Sequence, residues 1–359
     1  MQGIVSFHPV DLSFFDKTVE PLVAGEKVNP EEYLDRAARV RAAAGEARRY
    51  KLALETQLEL LEPPPPPSEG TVWEKVRSRL ERFDFKPDPL SRLIAEKVEP
   101  DLQLHGRPFL ITEGSADRVA ALVDEYLSAP GESAVNSLIL EQLIRVDPSL
   151  GGKIEPVDTE PFSSEMVYRR ELLALMKILF DLPQAARQHG SWRRGGGESI
   201  PASEALPEEL PWLAVYLHSR VVPFWTGRNV DGLDTVCRAA EVEAPGCLSS
   251  PRRLFSRSCE EFSGLREALG YELTSRRGLG AFVPPEEIPD LLSFLSAEGS
   301  RMIQAASHHG EGPTCATLLR KIRECARYAE GHGMGYLEAS GILPVELPAA
   351  APAPGSVSF

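Results

Sequence analysis

"SHHGEGPTCATLLRKIRECARYAEGHGMGYLEASG", residues 307–341, holds a corner, a helix and a stop in one run. Pro313 fits the first turn of a helix, where its missing N–H has no partner to lose. Behind it Cys315, Leu318, Leu319, Ile322, Cys325, Ala326 and Ala329 recur at steps of three and four, which marks one apolar face. Arg320, Lys321, Arg323 and Glu324 fall mainly off that face. Gly331 suits the left-handed position that ends a helix, and further glycines follow it. The run predicts a buried amphipathic helix of about 16 residues, roughly 24 Å long. Its glycine-rich ends would let the backbone come close to a neighbour.

The corner before the helix admits a chemical reading and a structural one. Free amides at a helix start attract anions. Gly310 and Gly312 would let a ligand approach, and Glu311 and Thr314 would add polar groups. His309 would be a titratable donor near neutral pH. Cys315, in the first turn, would have a depressed pKa, which makes His309 and Cys315 the candidate catalytic pair. In the structural reading Cys315 and Cys325 are small hydrophobes on the apolar stripe, and His308 and His309 close the preceding helix. A metal reading also exists. "HHGE" lacks the HExxH spacing, but His308 and His309, with Glu311, Cys315 and His332, could supply ligands if the helix ends met in space. Trp225 and Arg228 of "PFWTGRN", with His332 and Tyr336 of "GHGMGY", complete the candidate ligand-binding set. The sequence names no cofactor.

The rest of the chain predicts mostly helix with a few short strands, a mainly α (α+β) fold of several helical units. "QGIVSFHPV" carries strand-like residues, and "DLSFFDKTVEPLVAG" reads as a short helix. Asn29 can cap a helix that opens on Pro30, Glu31 and Glu32. From there Tyr33, Ala37, Val40, Ala44, Ala47, Tyr50, Leu54, Leu58 and Leu61 form one stripe, so the N-terminal segment, 1–62, is read as a long amphipathic helix over 29–61. Five prolines in the stretch 63–70 end it and predict an extended linker. A helical middle domain follows over 71–190, with Ser115 capping "ADRVAALVDEYL" and a strand expected at "RPFLIT". Residues 191–210 lose periodicity around "SWRRGGGES" and read as a flexible loop. A C-terminal α+β domain spans 211–345, with two short strands expected about a turn at Arg277 and Gly278 and a helical pair of turns or one broken helix over "PEEIPDLLSFLSAEGSRMIQAAS". The tail, 346–359, is low in complexity and expected to be disordered.

Composition narrows the function. The 359 residues carry 42% hydrophobic and 26% charged residues and a net charge of −14, which argues against nucleic-acid or anionic-membrane partners. Residues 251–330 are an exception, with eleven Lys or Arg against eleven Asp or Glu. The five cysteines are odd in number and hold no CxxC pair, which suits a reducing, cytoplasmic setting. No apolar run approaches the length of a membrane helix. No GxSxG, P-loop or dinucleotide fingerprint occurs. These features lead to the expectation of a cytoplasmic protein-binding adaptor or regulator, engaging a partner or a second copy through the 29–61 helix. The alternative is an enzyme or small-molecule or anion binder with its pocket around "HHGEGPTC", and a His/Cys metal site there is a third reading. A stripe that long needs a packed partner. Leu54→Asp is therefore expected to lower the melting temperature or dissociate a dimer, and an unchanged melting curve with an unchanged solution mass would refute the buried stripe.

Overall fold

The computed structural model describes residues 4–41, 102–104, 107–108, 115–130, 132–146, 165–193, 199–227, 232–271 and 278–342, with isolated positions at 148, 151–152 and 273. The stripe residues beyond 41, the proline run 63–70, the start of the expected middle domain, 71–101, Arg228 and the tail 346–359 lie outside them.

The described chain is mainly helical with a few antiparallel strands. A six-stranded sheet runs in the order β3–β2–β6–β1–β8–β7. Its strands are β1 (Val5–Val10), β2 (Leu102–Leu104), β3 (Arg107–Pro108), β6 (Phe224–Thr226), β7 (Gly278–Val283) and β8 (Gly335–Ser340). Each neighbouring pair is antiparallel. Strands from the N-terminal segment, the middle region and the C-terminal region thus share one sheet, although the sequence reads as three successive units.

After β1 a helical run, Leu12–Phe14, Phe15–Val19 and Glu20–Ala24, forms α1, with Asp11 capping Ser13 N. Residues 31–41 form α2. Next come α3 (Ala116–Ser128), α4 (Glu132–Val146) and α5 (Glu165–Arg187). Ser115 accepts from Arg118 N at the start of α3, the cap its sequence predicts. A hairpin of β4 (Ser191–Arg193) and β5 (Ser199–Pro201) leads into α6 (Ala202–His218). After β6 lie α7 (Leu233–Ala239), a 3-10 turn, and two one-turn helices, α8 (Ser256–Glu261) and α9 (Ser263–Ala268). Between β7 and β8 stand α10 (Ile288–Ser307) and α11 (Gly312–Gly331).

Register assigns the faces of the sheet. Phe7 sits opposite Trp225 on one side and Glu338 on the other, so these side chains share a face with Val5 and Tyr336. Phe7 and Tyr336 stack at 6.2 Å, and α11 covers this face, with Glu324 accepting from Trp225 Nε1 at 3.0 Å. Ser6, His8, Phe224 and Leu337 take the opposite face, where His8 stacks on Phe224 at 4.8 Å. The α6 helix closes that side. Its His218 lies near enough to His8 to oppose a charge there, and Trp212 Nε1 donates to Gly341 O at 2.9 Å. Both faces are therefore covered, and every residue of β1 and β8 is buried.

Several expectations change on contact with the fold. Where a flexible loop was expected, 191–193 and 199–201 pair as strands and 202–210 begin a helix, while 194–198 lie outside the described residues. Pro207 and Pro211 hid that helix. It survives them because Leu206, Leu210, Leu213, Ala214 and Leu217 are buried, and packing outweighs two lost backbone bonds. Gly278 opens β7, which pairs with β8; Arg277 and most of the strand expected before it lie outside the described residues. The segment expected as a pair of helical turns or a broken helix is one continuous helix from Ile288 to Ser307. Of "RPFLIT" only Arg107–Pro108 is a described strand. In α2, Tyr33, Ala37 and Val40 are buried as the stripe requires, and Tyr33 Oη donates to Leu217 O at 2.7 Å. This part of the stripe is covered by the same chain.

Phe7 is fully buried at the centre of the sheet beneath α11. Phe7→Ala is expected to cost on the order of 3–5 kcal/mol. Chemical denaturation reads this directly, and a loss under about 1 kcal/mol would show that β1 is not central to the fold.

Candidate functional site

A cavity of about 500 Å³ opens where α7, the end of α10 and the start of α11 meet. The corner "HHGEGPTC" forms one side of it. Gly310 has φ +78°, the left-handed region, and turns the chain between the two helices. His308 ends α10, and Glu311 precedes the first turn of α11, with Cys315 N bonded to Glu311 O at 2.9 Å. Gly312 is buried against Ser307. This construction presents His309, Glu311, Thr314 and Cys315 to the cavity.

The opposite wall is α7. Gly232 precedes it, Leu233 and Cys237 face inward and are buried, and Thr235, Val236, Ala239 and Ala240 face the cavity. Cys237 Sγ lies 3.9 Å from Met302 Sδ, so the α7 wall rests on α10. Met302, Cys315 and Leu318 make a buried apolar floor. Lys321 also lines the cavity, is 1% exposed, and donates from Nζ to Thr226 O at 2.8 Å. A buried ammonium is costly unless hydrogen-bonded, so its place here is fixed by the β6 carbonyl.

The candidate residues divide cleanly. His309, Glu311, Thr314 and Cys315 come together, with Gly310 and Gly312 shaping their backbone. The other described candidates lie elsewhere. Trp225 is fully buried under α11. Tyr336 is buried on β8 and donates to Glu338 Oε1 at 3.0 Å. His332 stands at the far end of α11. The helix has 20 residues, so it separates His332 from His309 by about 30 Å. There His332 bonds Asp124 Oδ1 at 2.9 Å and Tyr328 O at 2.8 Å and stacks on the Tyr328 ring. Arg228 is outside the described residues.

The surroundings of Cys315 run against the depressed pKa expected of it. Burial, helped by the Glu311 carboxylate, pushes its thiol above the ordinary value. A nucleophile needs the opposite shift. Among the described residues no three His, Cys, Asp or Glu side chains converge, so His308 and His309 find no described partners for a metal.

Sequence reading missed the α7 wall and Lys321. Thr314, Leu318 and Lys321 lie at steps of four and three, and Thr317 and Lys321 at a step of four. This second stripe, flanking the apolar one, was the available signal. Nothing in the sequence connects α7 to it, because that contact depends on tertiary packing. No family model, curated protein or solved structure matches the chain, so the site is read from its own geometry.

In native protein Cys315, 7% exposed with a raised pKa, is expected to react with a thiol reagent no faster than after partial unfolding. His309, exposed at the cavity mouth, is expected to be replaceable by Ala with less than about 0.5 kcal/mol lost. Rapid stoichiometric labelling of Cys315 in the folded state would reinstate the nucleophile.

Proposed function

We propose that the protein binds a small, largely apolar molecule with one polar or anionic end in the cavity between α7, α10 and α11. The observation that carries this reading is a cavity of about 500 Å³ with a buried apolar floor and a buried lysine at its side. That volume lies within the usual range of ligand pockets, which pair apolar walls with a few placed polar groups. Met302, Leu318 and Val236 suit the apolar body, and Lys321, His309 and Thr314 supply hydrogen-bond donors. The near-neutral charge of residues 251–330, which hold α10 and nearly all of α11, favours an anionic end more than the acidic remainder would.

This reading is preferred to the adaptor expected from sequence. The adaptor drew on an unpartnered stripe, and the described part of that stripe, Tyr33 to Val40, is buried within this chain. A partner held by the remaining residues of that stripe stays a separate proposal.

The probe is 1-anilinonaphthalene-8-sulfonate, an apolar molecule with an anionic end. Saturable fluorescence enhancement by native protein is expected. Ala239→Trp, an exposed position on the cavity wall, is expected to weaken it at least tenfold while leaving the far-UV circular dichroism unchanged. No enhancement, or equal binding by Ala239→Trp, would overturn the reading.

A further inference from the structure

The α7 wall of the cavity is tethered by one buried carboxylate. Glu338, on β8, is 1% exposed. Its Oε1 accepts from Leu233 N, the first residue of α7, at 2.9 Å and from Tyr336 Oη at 3.0 Å. Both donors are neutral, and no Lys, Arg or His pairs with Glu338 among the described residues. Gly232, just before α7, lies so close that a Cβ there would stand 2.1 Å from Glu338 Oε2. The start of α7 is thus pressed directly onto this carboxyl group.

The side chains facing Glu338 bring no positive charge to it. Tyr336 on β8, and Asp234 and Cys237 on α7, lie to one side, and Cys325 on α11 lies beneath. Phe7 on β1 is its register partner, and Gly280 on β7 abuts its Cβ. None of these side chains is a cation, and Asp234 opposes a second negative charge. A carboxylate so placed is stable when neutral and strained when ionised.

We propose that Glu338 is a protonation switch that positions the α7 wall, holding the cavity closed-walled when neutral and releasing α7 toward solvent when it ionises. Burial, opposed by the bonds from Leu233 and Tyr336, raises its pKa from 4.5 to about 7. When α7 lifts, the group regains water and its ordinary value. The seated arrangement is therefore fully favoured below about pH 4.5, and its advantage falls as pH rises until about pH 7, beyond which the loss is complete. The switch is a property of the α7 seat; only its consequence for ligand rests on the cavity proposed above.

Hydrogen exchange of the Leu233–Ala239 amides, expressed as protection factors, tests this on the full chain. Between pH 5 and pH 8 the protection is expected to fall on the order of 70-fold. Glu338→Gln keeps an acceptor for Leu233 N and cannot ionise, and is expected to abolish the pH dependence. Tyr336→Phe removes a bond that lowers the Glu338 pKa and is expected to carry the loss to higher pH, which serves if the Gln variant fails to fold. Flat protection in the natural chain, or the same pH dependence in Glu338→Gln, would overturn the switch. Absence of probe binding at every pH, with protection still falling, would overturn the cavity reading and leave the switch standing.

Discussion

Two opposite charges buried on one helix hold the molecule in register. Lys321 and Glu324 of α11 are 1% and 0% exposed, and each is satisfied by β6. Lys321 donates to the Thr226 carbonyl at 2.8 Å, and Glu324 accepts from Trp225 Nε1 at 3.0 Å and Arg320 at 2.7 Å. Leaving either charge unpaired would cost several kcal/mol, so α11 can neither rotate nor slide on the sheet without losing both. Everything at the cavity follows from this. The pinned helix aims Thr314, Leu318 and Lys321 at α7, and the corner at its head is fixed because α10 must turn back to meet it. Hydrophobic stripes alone tolerate sliding. Paired charges on adjacent turns do not.

The same helix shows what a sequence can and cannot disclose. Its apolar stripe, its proline start and its glycine-rich end are local, and all are where the pattern places them. The Ser115 cap and the buried Tyr33–Ala37–Val40 face are local too. What escaped reading was the second face of α11. Lys321 and Glu324 look like solvent residues, because a charged side chain on a helix usually is one. Only the arrival of β6, nearly 100 residues earlier in the chain, makes them core. The candidate site was half legible for the same reason. The corner residues are contiguous and could be grouped by eye, whereas Trp225, His332 and Tyr336 were joined to them by residue type, and the fold sends each to a different place.

The α6 helix makes the complementary point about misleading local signals. Pro201, Pro207 and Pro211 stand near a glycine-rich stretch, and local propensity speaks for a loop. The helix forms because eleven of its 17 residues are buried, including the whole run Leu213–His218, and it packs against α5 and the sheet. Its C-terminal His218 is buried, with a pKa pushed down to about 4 by burial, and its Nε2 accepts from Asp11 N at 3.2 Å. The neutral ring thereby joins α6 to the turn after β1. A residue that reads as a helix-ending cation is here an uncharged acceptor in the core.

The sheet explains why so many polar side chains end up inside. Along β1, Val5, Ser6, Phe7, His8, Pro9 and Val10 alternate in a way that suits a strand with one face in water. Helices cover both faces, so the alternation no longer separates core from surface, and Ser6 and His8 must be satisfied in place. Ser6 Oγ donates to Ala339 O at 3.2 Å, and His8 Nε2 meets Ser6 Oγ at 2.7 Å, with burial holding the ring neutral. On β8 the corresponding polar residue of the other face is Glu338. A hydroxyl or an imidazole can satisfy itself inside a sheet by hydrogen bonds and neutrality. A carboxyl group with no cation beside it does so by keeping its proton, which sets Glu338 apart from Glu324 with its Arg320 partner and makes the one acidic residue of the central strands sensitive to pH.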